Sequence, residues 1–199
     1  MVFQHIKIHL GFPKTVILSK SWLILLLRGN RPAIDYNPNV GLMVVAGELC
    51  GTGGLWCNIA TKKTLLSSDG GLTFAELAEF PEMVMGTCGL FLNDTTFMVI
   101  GGEVIADTAG TAVVDKTWFF DFPSNTWSSG PVLPITGRSY HSCSLITDCY
   151  GNNQVVVVGG SYLNRTDIYD VNSGNWTTGE NWIPLCTGRE GGRVGSIVS

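Results

Sequence analysis

Charge is scarce in this chain. Of 199 residues, 14% are Asp, Glu, Lys or Arg, and the net charge is −4. The 12 basic residues are scattered, which excludes the continuous positive groove of a nucleic-acid binder and the polybasic patch of a membrane-surface protein. Histidine is scarcer still, with only His5, His9 and His141. Long apolar runs are missing as well. A membrane-spanning helix needs about 18 or more apolar residues, whereas the stretch from Trp22 to Leu27 is bounded by Lys20 and Arg28. No membrane span is expected. That stretch also falls short of the h-region of a secretory signal, and no small-residue cleavage site follows it. P-loop, kinase signature and heptad repeat are lacking, and no cysteine spacing is a zinc pattern. No metal or cofactor site is expected.

Glycine and apolar residues are plentiful: 25 glycines and 45% apolar content describe a well-buried β protein. The segment "VVVVGGSYLNRTDIYDVNSGNWTTG", residues 155 to 179, shows how they are arranged. Four valines predict a strand covered on both faces. Gly159 and Gly160 end it, Arg165 to Val171 predicts the next strand, Asn172 to Gly174 a turn, and Asn175 to Thr178 a last short strand.

This arrangement recurs. Asp121, Ser124, Trp127 and Gly130 return as Asp170, Ser173, Trp176 and Gly179, each 49 residues later. The Gly101–Gly102 pair is matched by Gly159–Gly160 and, upstream, by Ala46–Gly47. "TGRSYHSCSLI" from Thr136 is echoed by "TGREGGRVGSI" from Thr187, 51 residues on. A period near fifty is the signature of a repeat architecture.

The repeat resembles the kelch family of β-propellers, in which a Gly-Gly pair after an apolar strand is followed by an aromatic residue and a tryptophan. One copy carries Gly101, Gly102, Phe120, Asp121 and Trp127, the next Gly159, Gly160, Tyr169, Asp170 and Trp176. The first copy departs, with Ala46 beside Gly47 and Phe74 where a tryptophan would stand. The resemblance implies an all-β, kelch-type propeller. Its four-stranded blades bury their faces against neighbours, with large aromatics filling the space between them. The blades are expected at 29–85, 86–136 and 137–187, with 188–199 starting a fourth. Residues 1–28 are expected to be a leader or the remnant of a preceding blade, with strands at Val16–Leu18 and Leu23–Leu27. Propellers close with about 4 to 8 blades, so an incomplete ring, a fragment of a longer protein, is expected.

A second motif lies in the first copy. "SSDGGLTF" resembles the Asp-box turn of sialidases and other propellers, with Ser67, Asp69, Gly71 and Phe74 in its defining positions. Asp69 is expected to accept backbone N–H bonds and close a tight turn, a structural role. Enzymes of related fold set the alternative. A copper oxidase resembling galactose oxidase needs two histidines and two tyrosines, but only His141 lies in the repeats. A sialidase-like site needs three arginines. Arg31, Arg138 and Arg189 are candidates, without an identifiable acid or nucleophile. The expectation is therefore a non-catalytic scaffold for a protein or glycan partner; the alternative is a piece of a propeller oxidase or hydrolase. No BTB-type module accompanies the repeats.

Loop parity selects the face that would bind. The second-to-third strand connections are expected at Gly47–Ala60, Glu103–Asp115 and Ser161–Asn164, with the 13-residue Glu103–Asp115 free to form its own hairpin. Glu103, Asp107 and Asp115, with Arg138, His141 and Arg189 from the connections between blades, form the candidate polar rim. Among six cysteines, Cys50 with Cys57 and Cys143 with Cys149 are near enough in sequence to bridge. Cys88 and Cys143, counted from Leu90 and Leu145, fall at equivalent places in successive repeats. That predicts separation beyond disulfide reach and a role as small buried apolar residues. The sequons at Asn93, Asn164 and Asn175 are glycosylation candidates in turns or loops. With the loop disulfides, they tilt the expected location toward the extracellular side.

Overall fold

A computed structural model of the chain describes residues 7–8, 16–17, 32–49, 59–106, 110–148, 150–161 and 163–179. Every regular element among them is a strand. β1 (Lys7–Ile8) pairs with β2 (Val16–Ile17), so the expected Val16–Leu18 strand is present in part. Leu23–Leu27 lies outside the described residues.

Three four-stranded antiparallel sheets follow in sequence order. Sheet one runs β3 (Ala33–Asn37), β4 (Gly41–Val45), β7 (Thr64–Ser67), β8 (Ala75–Glu76); between β4 and β7 the short pair β5 (Glu48–Leu49) and β6 (Ile59–Ala60) is inserted. Sheet two runs β10 (Cys88–Asn93), β11 (Thr96–Ile100), β14 (Thr117–Asp121), β15 (Thr126–Ser129). Its insertion, β12 (Glu103–Ala106) and β13 (Gly110–Val113), joins β9 (Val84–Met85) in a three-stranded sheet of order β13-β12-β9. Sheet three runs β16 (Ser142–Thr147), β17 (Asn153–Val158), β18 (Thr166–Asp170), β19 (Asn175–Gly179).

The three modules are built alike because their sequences are. Second strands are apolar along most of their length, where both faces are covered: Met43 and Val45 in β4, Met98 to Ile100 in β11, and Val155 and Val157 in β17 are sealed from solvent. Alternation then sends neighbours to opposite sides. Phe91, Phe97, Val99 and Phe120 of sheet two pack toward sheet one, against Ala33, Met43, Val45 and Phe80. Leu90, Leu92, Met98 and Ile100 pack the other way, against Val155, Val157 and Tyr169 of sheet three. First strands lie side by side, β3 against β10 and β10 against β16.

Tryptophan repeats a contact at the outer strands. The Trp127 indole N–H donates to the Ala78 carbonyl at 3.1 Å, and its ring packs edge-on against Phe80 at 4.8 Å. Trp176 donates to the Pro131 carbonyl at 3.2 Å and packs on Tyr169. Each indole thus reaches the segment that leaves the preceding sheet. Both rings are half-buried.

Turns repeat as well. In the turn between third and fourth strands, Asp69 accepts from the Leu72 and Thr73 N–H groups at 3.0 Å, and the Ser67 hydroxyl accepts from Gly71 N–H at 2.7 Å. Hydrogen bonds from the Thr73 hydroxyl and N–H hold the Asp69 carboxyl far below the usual range. Phe74 is half-buried. Asp121 and Asp170 close the corresponding turns by accepting from Ser124 and Ser173 N–H. First hairpins open on Asn37, Asn93 and Asp148, each accepting from the N–H two residues ahead.

One expectation is overturned. Cys88 and Cys143 form a disulfide joining β10 to β16, with Cα atoms 6.0 Å apart. They do not occupy equivalent positions. Cys88 pairs with Ile100, the last residue before a Gly-Gly pair, whereas Cys143 pairs with Val157, one residue further from its pair. The tight Asn93–Thr96 turn and the longer Thr147–Asn153 turn shift the count from Leu90 and Leu145. A one-residue offset reverses the face a side chain occupies. Cys88 therefore points toward sheet three and Cys143 back toward sheet two, within the usual disulfide span. Cys50, Cys57 and Cys149 lie outside the described residues.

Candidate functional site

The Gly-Gly pairs bring the segments between sheets under the ends of the second strands. Gly101 and Gly102 have φ of +57° and +108°. A Cβ at Gly101 would lie 2.4 Å from the Arg138 carbonyl oxygen, and one at Gly160 would lie 2.4 Å from that of Ser139. Only glycine combines that conformation with that approach. Ala46 occupies the matching place in sheet one with φ of +56°, so the backbone geometry is kept where the sequence departs from the pair. Gly102 N–H donates to the Arg138 carbonyl at 2.7 Å, as Gly47 N–H does to Val84 at 3.0 Å. Residues 138–141 are thereby pulled beneath sheets two and three.

A buried polar cluster results. The Arg138 side chain is wholly enclosed: one guanidinium nitrogen pairs with Asp167 and another donates to the carbonyls of Val157 and Gly159, each at 3.2 Å. Arg165 approaches the same Asp167 carboxylate at 3.1 Å. Burial pushes the Arg138 pKa down to about 10, with Asp167 opposing, so the ion pair persists at neutral pH. His141 is buried beside it, and its ring nitrogens have no hydrogen-bond partner among the described residues. Burial, then the Arg138 charge, lower its pKa to about 3 against a weaker effect of the Ile100 carbonyl. Neutral imidazole is the resting form.

Glu103, at the root of β12, completes the cluster. Its carboxylate accepts from the Tyr140 hydroxyl and, at 3.5 Å, from the Ser139 hydroxyl. The Ser139 N–H donates to the Ser161 hydroxyl at 2.8 Å. Tyr140 and Ser161 both adopt positive φ, +57° and +45°, a conformation that costs a non-glycine residue on the order of 1–2 kcal/mol. Both residues thus hold a costly backbone conformation within one polar cluster.

The expected rim divides accordingly. Glu103, Arg138 and His141 come together, but inside the protein; Arg138 spends its charge on Asp167. Asp115 is exposed on the segment leaving β13, where its carbonyl accepts from Leu133 N–H. Asp107 and Arg189 lie outside the described residues. The sequence reading missed Asp167, Tyr140, Ser139 and Ser161. The available signal was Asp167, which strand alternation places on the same side as Tyr169, so that a buried face there would need a cation beside it. The sequon asparagines Asn93, Asn164 and Asn175 are all exposed; Asn93 and Asn175 are strand-end residues bordering turns.

Above the cluster, the Glu103–Val113 ladder carries β12 and β13 away from sheet two as the hairpin that the connection's length allows. Thr111, Ala112 and Val113 are exposed, Val113 at 44%. No helix among the described residues is long and apolar enough to cross a membrane, and no group of three or more His, Cys, Asp or Glu side chains among them is arranged to hold a metal. No protein-family model matches the chain, and no curated protein matches it.

Proposed function

We propose that the three sheets are blades of a kelch-type β-propeller, and that the chain acts as a non-catalytic scaffold binding a protein or glycan through its long second-to-third strand connections. The observation that carries this reading is the β12–β13 hairpin. It extends outside the four-stranded sheets, is rooted by β9 and the Glu103–Tyr140 bond, and presents exposed Thr111, Ala112 and Val113. The matching connection of sheet three, between Val158 and Thr166, carries no such strands among its described residues. Side-by-side first strands and the repeated indole-to-carbonyl contact support radial packing of the modules.

The test replaces residues 105–112 with a short Gly-Asn linker in the full-length protein, keeping Glu103, Val104, Val113 and Val114 to preserve the root. Capture from the native source and binding to a glycan array are then compared with wild type. Unchanged circular dichroism with lost partners or glycans is expected. An unchanged set of both would reduce the hairpin to a tolerated insertion. Sugar oxidation or hydrolysis by the intact protein would replace the scaffold reading with an enzymatic one.

A further inference from the structure

Sheet one and sheet two are tied along their first strands by hydrogen bonds. Asp35 of β3 accepts from Phe91 N–H of β10 at 2.9 Å, and Asn37 and Asn39 both donate to Asp94 at 2.9 Å. Between β10 and β16 no such bond occurs among the described residues; the Cys88–Cys143 disulfide stands there instead. The two junctions are otherwise matched. Ala33 and Gly89 stand to each other as Cys88 and Cys143 do: Ala33 pairs with the last residue before the Ala46–Gly47 pair, and Gly89 is one residue past Cys88. A Cβ added at Gly89 would come within 2.6 Å of the Ala33 Cβ. Sheets one and two meet there by removing a side chain; sheets two and three meet by bonding two.

We propose that Cys88–Cys143 is a redox-controlled latch of the inner strands, closed by oxidation and opened by a dithiol reductant. Both cysteines are half-buried, so the bond is within reach of a reagent. In the opening step one thiolate of the reductant attacks a cysteine sulfur, breaking the S–S bond and forming a mixed disulfide. Its second thiol then displaces that cysteine. Two electrons and two protons pass to Cys88 and Cys143, and the reductant leaves as its own disulfide. Around the latch, Gly102 N–H to the Arg138 carbonyl, Tyr140 to Glu103 and Trp176 to Pro131 remain, so the third sheet loosens along β10 and β16 and is not released. An oxidising compartment keeps the latch closed.

The test uses the full chain. Peptide mapping under non-reducing conditions is expected to recover residues 88 and 143 in one linked species. Hydrogen exchange is then followed with and without a small dithiol. Amides of β10 and β16 are expected to lose clearly more protection on reduction than those of β4 and β7, as local opening along one junction requires. The double variant Cys88→Ala/Cys143→Gly copies the Ala33–Gly89 junction; it should match the reduced protein and ignore the dithiol. Free thiols at both positions in the oxidised protein, equal exchange in the two states, or loss of protection spread evenly over all three sheets would each overturn the proposal. If the double variant does not fold, the wild-type comparison decides alone.

Discussion

Among the described residues, His141 is one whose chemistry its surroundings change strongly. Its pKa is lowered by burial and by Arg138, to about 3, while in the unfolded chain it returns to 6.5. Between those values the unfolded state binds the extra proton, so stability falls as pH falls from about 6.5 toward 3. The contribution is fully present above 6.5, and its slope approaches roughly 1.4 kcal/mol per pH unit. Denaturant midpoints measured across this window should show the slope in wild type and a shallower one in His141→Leu. Asp35 runs the other way. Burial raises its pKa above 3.8, with bonds from Phe91 and Tyr36 N–H opposing. The Asp35 contribution to stability is therefore lost as pH rises through its raised pKa, against the opposite trend set by His141, and Asp35→Asn should remove this component while keeping an acceptor for Phe91 N–H. Asp35→Ala, which strands that buried donor, should cost about 1–3 kcal/mol. A third contrast concerns glycine. Gly101 and Gly151 both have positive φ, yet a Cβ meets the Arg138 carbonyl at Gly101 and nothing within 4 Å at Gly151. Thermal unfolding of Gly151→Ala should show the conformational cost alone, about 1–2 kcal/mol, and Gly101→Ala a larger loss.

At the scale of the element, the valine run, the Gly-Gly stops and the spacing to each tryptophan made the third and second sheets legible from composition and period. The Glu103–Val113 hairpin was legible too, from an excess of residues over what the connection requires. The cysteine pairing was not, because strand facing depends on turn length, and two unequal hairpin turns slip the register by one residue. Nor was the depth of Arg138, since its partner Asp167 sits 29 residues away in another strand. Among the aromatic contacts, Trp127 lies against both Phe80 and Phe120, whereas the ring partner of Trp176 is Tyr169. Half-buried as they are, Trp127→Ala should cost about 2–3 kcal/mol, below the full 3–5 of an enclosed tryptophan, and Trp176→Ala less. Calorimetry of the two variants gives the order directly; a reversed order would show that the Phe80 contact does not hold sheet two to sheet one.

For the whole molecule, the direction of the indole contacts has a consequence during synthesis. Trp127 docks on Ala78, and Trp176 on Pro131, in each case a carbonyl made earlier in translation. The receiving surface of every module therefore leaves the ribosome before the side chain that needs it. Phe80 and Leu133, buried beside those carbonyls, would wait uncovered until the next module emerges. Folding from the amino end, the usual order for growing chains, thus proceeds here as successive closure: each sheet shields its predecessor and in turn exposes a fresh apolar flank. A ribosome stalled after residue 121 would hold sheet one with its dock still open, and one stalled well past residue 130 would let Trp127 fill it.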